Sequence, residues 1–468
     1  MTPQAQLAML AWIPVVLFLF VRFPAQKAVI IGFIGAWLFL PQKAGFYFPG
    51  LPDYDRVSAV SYSILLATFV FDVGRFRSFK FSWIDIPMLI WCLCPLASSI
   101  TSGLGAYDGM SAVLDQTIQW GMPYFLGRIY LNNLRGLRLL AIAIFIGGLV
   151  YVPLCLFEIR FSPQLHQMVY GYFPHMFAQT IRYGGFRPQV FMTHGLQVGI
   201  WMMSASLIGI WLWQAGVIKQ LWGIPMSWLV SVLSITFVLI KSTGALFLMA
   251  LGVAIIFSAK WFRTTLPFFL TIVIIFSYLY GGVTGEFTGE KKDRILEFVG
   301  EITELIGGDD RSGSLGERFN QEEVLGDLAR ERIVFGHGKW GWVARDEESG
   351  KEYVAADSLW ILRFTHNGVV GLFSLYLAML LPVISFGVLR YPGTTWFHPK
   401  VAPAAALAVV VMLFMFDSLL NAHPTPTYML ASGAISGLVV NETQAKKVKG
   451  NRAAARRSLA QKRQHQHN

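Results

Sequence analysis

The chain has 468 residues, of which 54% are hydrophobic and only 14% charged, well below the ~25% charged residues of ordinary soluble domains. That balance excludes a soluble globular protein, and the continuously apolar runs argue against a β-barrel, whose strands alternate. The net charge of +11 sits in short connections between those runs, which fits the positive-inside rule better than nucleic-acid binding.

Thirteen apolar runs follow one another, at about 6–21, 27–41, 57–72, 84–101, 112–127, 138–157, 193–214, 225–241, 243–259, 264–282, 359–389, 401–417 and 425–440. Their lengths suit the hydrocarbon thickness of a bilayer, so the expected fold is an all-α polytopic membrane protein with about 12–13 transmembrane helices. The fifth run carries Asp115, Gln116 and Gln119, and reads as a span, an interfacial helix or a broken one. Many of the 15 Trp lie near run ends, as interfacial anchors do. Cys92, Cys94 and Cys155 all fall inside apolar runs and imply no disulfide framework. The first run has no basic leader, so no cleavable signal peptide is expected.

Basic residues fix the expected orientation. Arg22 with Lys27, then Arg75, Arg77 and Lys80, then Arg128, Arg135 and Arg138 occupy alternate connections. Lys219, Lys260 with Arg263, and Arg390 with Lys400 continue the series. A tail from Lys446 to Arg463, with eight basic residues and no acid, ends it. All fall on one face, expected to be cytoplasmic, which puts the N-terminus outside. The tail reads as a solvated anchor that also touches anionic lipid. The chain then divides into N-terminal spans (1–282), a large external loop (283–358), three C-terminal spans (359–440) and the tail (441–468).

That loop is the one strongly acidic stretch, with 18 acidic residues against 10 Lys+Arg between Val283 and Ser358, a net of −8. Helical spacing of apolar residues predicts short amphipathic helices over Asp293–Ile306 and Glu317–Ile333. No Walker pattern, dinucleotide fingerprint or metal-ligand spacing occurs in the loop, so no cofactor and no metal is expected.

Candidate residues cluster on the side opposite the basic loops. Arg187, in Gly184-Gly185-Phe186-Arg187-Pro188, reads either as an interfacial arginine that snorkels or as a phosphate clamp, since guanidinium matches phosphate bidentately. Arg182 and His194 flank it. Lys241, in the turn Lys241-Ser-Thr-Gly244, runs against the topology rule, which favours a functional reading. Arg318 opens the second amphipathic helix, where the plainer account is an ion pair with Glu322. Phe335-Gly-His-Gly-Lys-Trp-Gly-Trp342 is a tight loop in which His337, Trp340 and Trp342 are candidates to face a sugar. At the re-entry, Asp357, Trp360, Arg363 and His366 stand at or within a span, where ionisable groups are functional candidates by default. His366 reads equally as a satisfied interhelical histidine.

These features together resemble the O-antigen ligase and O-antigen polymerase family of bacterial envelope enzymes. The resemblance rests on many spans with one large external loop, the Arg187 segment, Ser242–Ala245, Ser314-Leu-Gly-Glu-Arg318, Phe335-Gly-His-Gly338 and Asn367-Gly-Val-Val-Gly-Leu372. It implies a GT-C-like membrane glycosyltransferase in a bacterial cytoplasmic membrane, with its active site outside. The implied substrates are an undecaprenyl-pyrophosphate-linked glycan and an acceptor glycan or glycolipid. Membrane lipids and other polysaccharide-assembly proteins would be its partners, with no nucleic acid. By the same resemblance Arg187, Arg318 and Lys241 bind the pyrophosphate. Where the family places His-Asn, eleven residues before the re-entry glycine, this chain has Asp357-Ser358, so the base is Asp357, or else His366 or His337. Trp340, Trp342, Trp360 and Arg182 are further sugar or acceptor contacts. A lipid-glycan flippase remains open. So does a different lipid-dependent GT-C transferase, on the Asp53-x-Asp55 spacing of the first external loop.

Overall fold

The computed structural model describes residues 1–47, 52–182, 184–286, 312–345, 352–353 and 356–441, with no account of the side chains of 312–315 and 345. The expected helix at 293–306 and the basic tail lie outside the described residues.

Every apolar run is helical. In chain order these are α1 (Pro3–Arg22), α2 (Ala25–Phe39), α3 (Arg56–Phe71), α4 (Ile86–Thr101), α5 (Ala106–Gln116), α6 (Met122–Tyr130) and α7 (Leu134–Phe161), followed by the short α8 (Leu165–Tyr170). Next come α9 (Gly195–Gln214), α10 (Met226–Leu239), α11 (Thr243–Phe257) and α12 (Leu266–Thr284). The acidic loop contributes α13 (Ser312–Glu331), and α14 (Leu359–Ser385), α15 (Ala402–Asp417) and α16 (426–441) complete the bundle. Among the described residues, strands occur only as two-residue hairpin arms.

Among the described residues, seven helices are long and apolar enough to cross a membrane. Four others, α2, α3, α10 and α15, have 14–16 residues. At 1.5 Å per residue they reach roughly 21–24 Å, short of a ~30 Å hydrocarbon core. The fifth run is helical without a break: α5 runs into α6 through a π-turn over Thr117–Gly121.

The bundle is organised around α9, most of whose length is buried by α7, α10, α11 and α15. Its residues are apolar on all sides, as a helix with no solvent face should be. Small residues set the closest crossings. At the α6–α16 contact a Cβ on Gly127 would overlap the Leu430 carbonyl, and one on Gly433 the Tyr124 carbonyl. Backbones without side chains can approach this closely, and in lipid that packing is the main association force.

At one end of the bundle the connections interlock. Gln42 donates to the Phe191 carbonyl, Arg332 to that of Thr101, and the Leu359 amide to that of Ser418. α14 is kinked where Gly368 adopts φ 60° and ψ −163°. The kink frees backbone groups, and the loop after α13 takes them up. Val369 and Val370 amides donate to Ile333 and Val334, while His337 and Gly338 amides donate to Thr365 and His366. The glycine-rich loop is thereby docked against the broken helix.

Candidate functional site

The segment carrying Arg187 is shaped before it reaches the site. A hairpin pairs Ile181–Arg182 with Gly185–Phe186, and the Arg187 amide donates to the Thr180 carbonyl at 2.7 Å. Beyond it, the Glu158 carboxylate at the end of α7 accepts amides from Leu165, Gln189 and Val190 at 2.9, 2.8 and 2.7 Å. Val190 sits at φ 52°, a costly conformation for a β-branched residue, and Glu158 holds it there. The result lays the Arg187 side chain across the start of α9, against Gly195, where its Nη2 donates to Ser242 Oγ at 2.9 Å. Ser242 is itself buried at the start of α11, one residue after Lys241. Lys241 Nζ reaches back to the Arg182 carbonyl at 3.3 Å. Arg187, Lys241 and the Arg182 strand therefore meet in one place.

Arg318 arrives from α13 on the other side. Its Nη2 donates to Asn421 Oδ1 at 3.3 Å, its Nε lies 3.9 Å from Asp357 Oδ2, and Asn421 in turn donates to Asp417 at 2.8 Å. The ion pair expected with Glu322 does not form. Glu322 is taken up by Ser358 Oγ, Tyr278 OH and Trp360 Nε1 at 2.6, 2.7 and 2.9 Å. Burial pushes its carboxyl up, and the three donors oppose that. Glu322 thus ties α12, α13 and the start of α14 together, which fixes both Arg318 and Asp357.

Three histidines link the two arginines. His175 and His194 ring centroids are 4.8 Å apart, and the His194 and His423 rings stack at 6.2 Å and 19°. His194 caps α9, its Nδ1 accepting the Leu196 amide at 3.1 Å. Burial, then the positive charge of Arg187, drives His194 down to about 3. Burial, then Arg318, drives His423 down to about 4. His175 is lowered by burial and by Lys43. The rings are therefore neutral near pH 7 and add no charge to that of the cations around them. Beneath His423 lies a void of about 10 Å³, lined by Asp417, Gln197 and Thr425, room for roughly one water.

No protein-family model matches this sequence, and no curated protein matches it significantly.

The sequence-predicted residues separate into two groups. Arg187, Arg182, Lys241, Arg318 and Asp357 gather around the histidines, with the Asp357 side chain 63% exposed. His366 does not join them; it lines a second cavity with Arg363 and Lys339, with the Trp342 ring 5.4 Å away. Trp340 is 54% exposed beside Lys339. Trp360 is buried in the helix junction, and His337 Nε2 is hydrogen-bonded to the Leu328 carbonyl at 2.8 Å, so both are engaged in packing. Asp55 of the Asp-x-Asp spacing caps α3, accepting the Val57 and Ser58 amides. Sequence reasoning passed over His175, His423, Asn421 and Asp417. Spacing along the chain hides them, but the expected topology already put His175, His194 and His423 on one side.

A cluster of cations at a bundle end, with neutral imidazoles inside it and a carboxylate at its rim, is suited to binding a polyanion and accepting a proton beside it.

Proposed function

We propose that the protein is a membrane glycosyltransferase that moves a glycan from a lipid pyrophosphate carrier, of the undecaprenyl type, onto an acceptor hydroxyl outside the cytoplasmic membrane. The observation that carries this reading is the meeting of Arg187 and Arg318, far apart in the chain, on one histidine stack. Two guanidiniums with Lys241 close by match the charge and fork geometry of a pyrophosphate.

In the reaction the acceptor oxygen forms a bond to the anomeric carbon. The bond from that carbon to the carrier phosphate breaks, and the electron pair leaves with the pyrophosphate. Charge therefore develops on the leaving group, and fixed cations stabilise it without reorganising. The acceptor proton goes to a base, and Asp357 is the assigned group, since it is exposed at the rim and 3.9 Å from Arg318. His366, the alternative base, lies apart from this cluster in the second cavity. The protein's thirteen apolar helical runs, its orientation with this end outside, and a GT-C-like lineage belong to the same proposal.

Deletion of the gene tests the reading and sorts its two forms. A single repeat left on the final acceptor means a polymerase, and long chains stranded on the carrier mean a ligase. Unchanged envelope glycans would reject both.

A further inference from the structure

A second cavity, of about 200 Å³, opens between α4, α5 and α14, far larger than the ~10–15 Å³ one water needs. Its chemistry comes from Asp115, Gln119, Trp120, Lys339, Arg363 and His366. Gln119 and Trp120 are brought to it by the π-turn at Thr117–Gly121, a helix defect common at functional sites.

Charge in the cavity does not balance. Lys339 Nζ is 2.7 Å from Asp115 Oδ2, and Gln119 donates to the other Asp115 oxygen at 2.8 Å, so these three satisfy one another. Among the described residues, Arg363 has no hydrogen-bonded or ion-paired partner of this kind. Its guanidinium lies 5.5 Å from the Trp91 ring, and its Nε is sealed from solvent without a hydrogen-bond acceptor. A buried cation left uncompensated is costly. Among the described lining residues one unit of positive charge therefore remains, with His366 and the amide of Gln119 at hand as polar neighbours. At the mouth, Lys339 and Asp115 are 36% and 24% exposed, and the Trp340 ring lies 4.6 Å from Lys339 Nζ.

We propose that this cavity binds a carboxylate-bearing sugar of the hexuronate class, with its carboxylate on Arg363 and the rest of the glycan leaving past Lys339 and Trp340. The single residual charge matches a monoanion and not a phosphate dianion. The guanidinium fork matches a carboxylate bidentately, and the indole at the mouth suits a sugar face. The proposal extends the glycan-transfer reading by naming an acidic sugar in one substrate, yet its binding step requires no transfer.

The test is saturation-transfer difference NMR on the purified full chain in detergent, with glucuronic acid, glucose and glucose 6-phosphate as separate probes. Expected is saturation of glucuronic acid, at least tenfold weaker binding in Arg363→Gln, and weaker binding in Lys339→Gln, whose half-exposed site tolerates the change. Equal saturation of glucose, stronger binding of glucose 6-phosphate, or glucuronic acid binding unchanged in either variant would overturn the proposal. Should Arg363→Gln fail to fold, the Lys339→Gln comparison decides alone. Binding without any glycan transfer would reject the transferase reading and keep this one; transfer without binding would do the reverse.

Discussion

Arg318→Ala separates function from folding most cleanly. The residue's folded-state contacts are weak. Its approach to Asp357 is 3.9 Å with that carboxylate 63% exposed, and an exposed pair of this kind contributes ~0–1 kcal/mol. The hydrogen bond to Asn421 is long, at 3.3 Å, and the neutral hydrogen-bond range of ~0.5–1.5 kcal/mol is its ceiling. Removal should therefore cost the fold no more than about 2.5 kcal/mol. The catalytic loss is larger, because a fixed donor at developing charge is worth ~2.7–4 kcal/mol, or 10²–10³ in turnover. Glycan transfer by Arg318→Ala in the deletion strain should fall about a hundredfold at normal protein level, with Tm nearly unchanged. Arg318→Lys should recover part of the activity, since it restores charge but not the fork. Wild-type transfer by well-expressed Arg318→Ala would refute the assignment of this arginine to the leaving group.

Three further outcomes follow from the same geometry. Asp357→Asn should lower turnover by 10²–10⁴ while preserving donor binding, the range for loss of a general base, and undiminished turnover would remove Asp357 from the mechanism. Gly368→Ala should unfold the protein locally or wholly, because a Cβ there overlaps the Val334 carbonyl at a positive φ; a loss of at least ~2 kcal/mol in denaturation would be expected. For pH, the unfolded histidines titrate near 6.5, whereas His194 and His423 are held at about 3 and about 4. As pH falls from 6.5 toward 4 the unfolded state binds the extra protons, so stability falls, by up to about 1.4 kcal/mol per pH unit for each ring. His423→Gln should show a shallower decline of Tm with acidification than the wild type, and parallel curves would show that the ring is not held neutral.

The fold's helices were legible because a helix in lipid must satisfy its own backbone and keep an apolar exterior, so each run of apolar residues marks a helix. Lys241 was legible because it runs against the expected topology, and Arg187 and Arg318 because of the short motifs that carry them. The histidine stack was not, because His175, His194 and His423 come from three connections and only packing makes them neighbours. Likewise the role of Glu322 was hidden. Helical spacing offers it Arg318 as a partner, but tertiary donors from Tyr278, Ser358 and Trp360 outcompete that pair. His366 and Asp357 are only nine residues apart, yet His366 lines the second cavity while Asp357 stands exposed beside Arg318.

The central claim is that the bundle end makes a glycosidic bond and does not merely carry a lipid-linked glycan across. Purified protein in detergent, given a polyprenyl-pyrophosphate-linked glycan and its acceptor, measures this directly. The account predicts glycosylated acceptor together with released polyprenyl pyrophosphate, with no bilayer present and with loss of both in Arg187→Ala. Translocation of intact donor across proteoliposomes, with no bond formed in detergent, would contradict it.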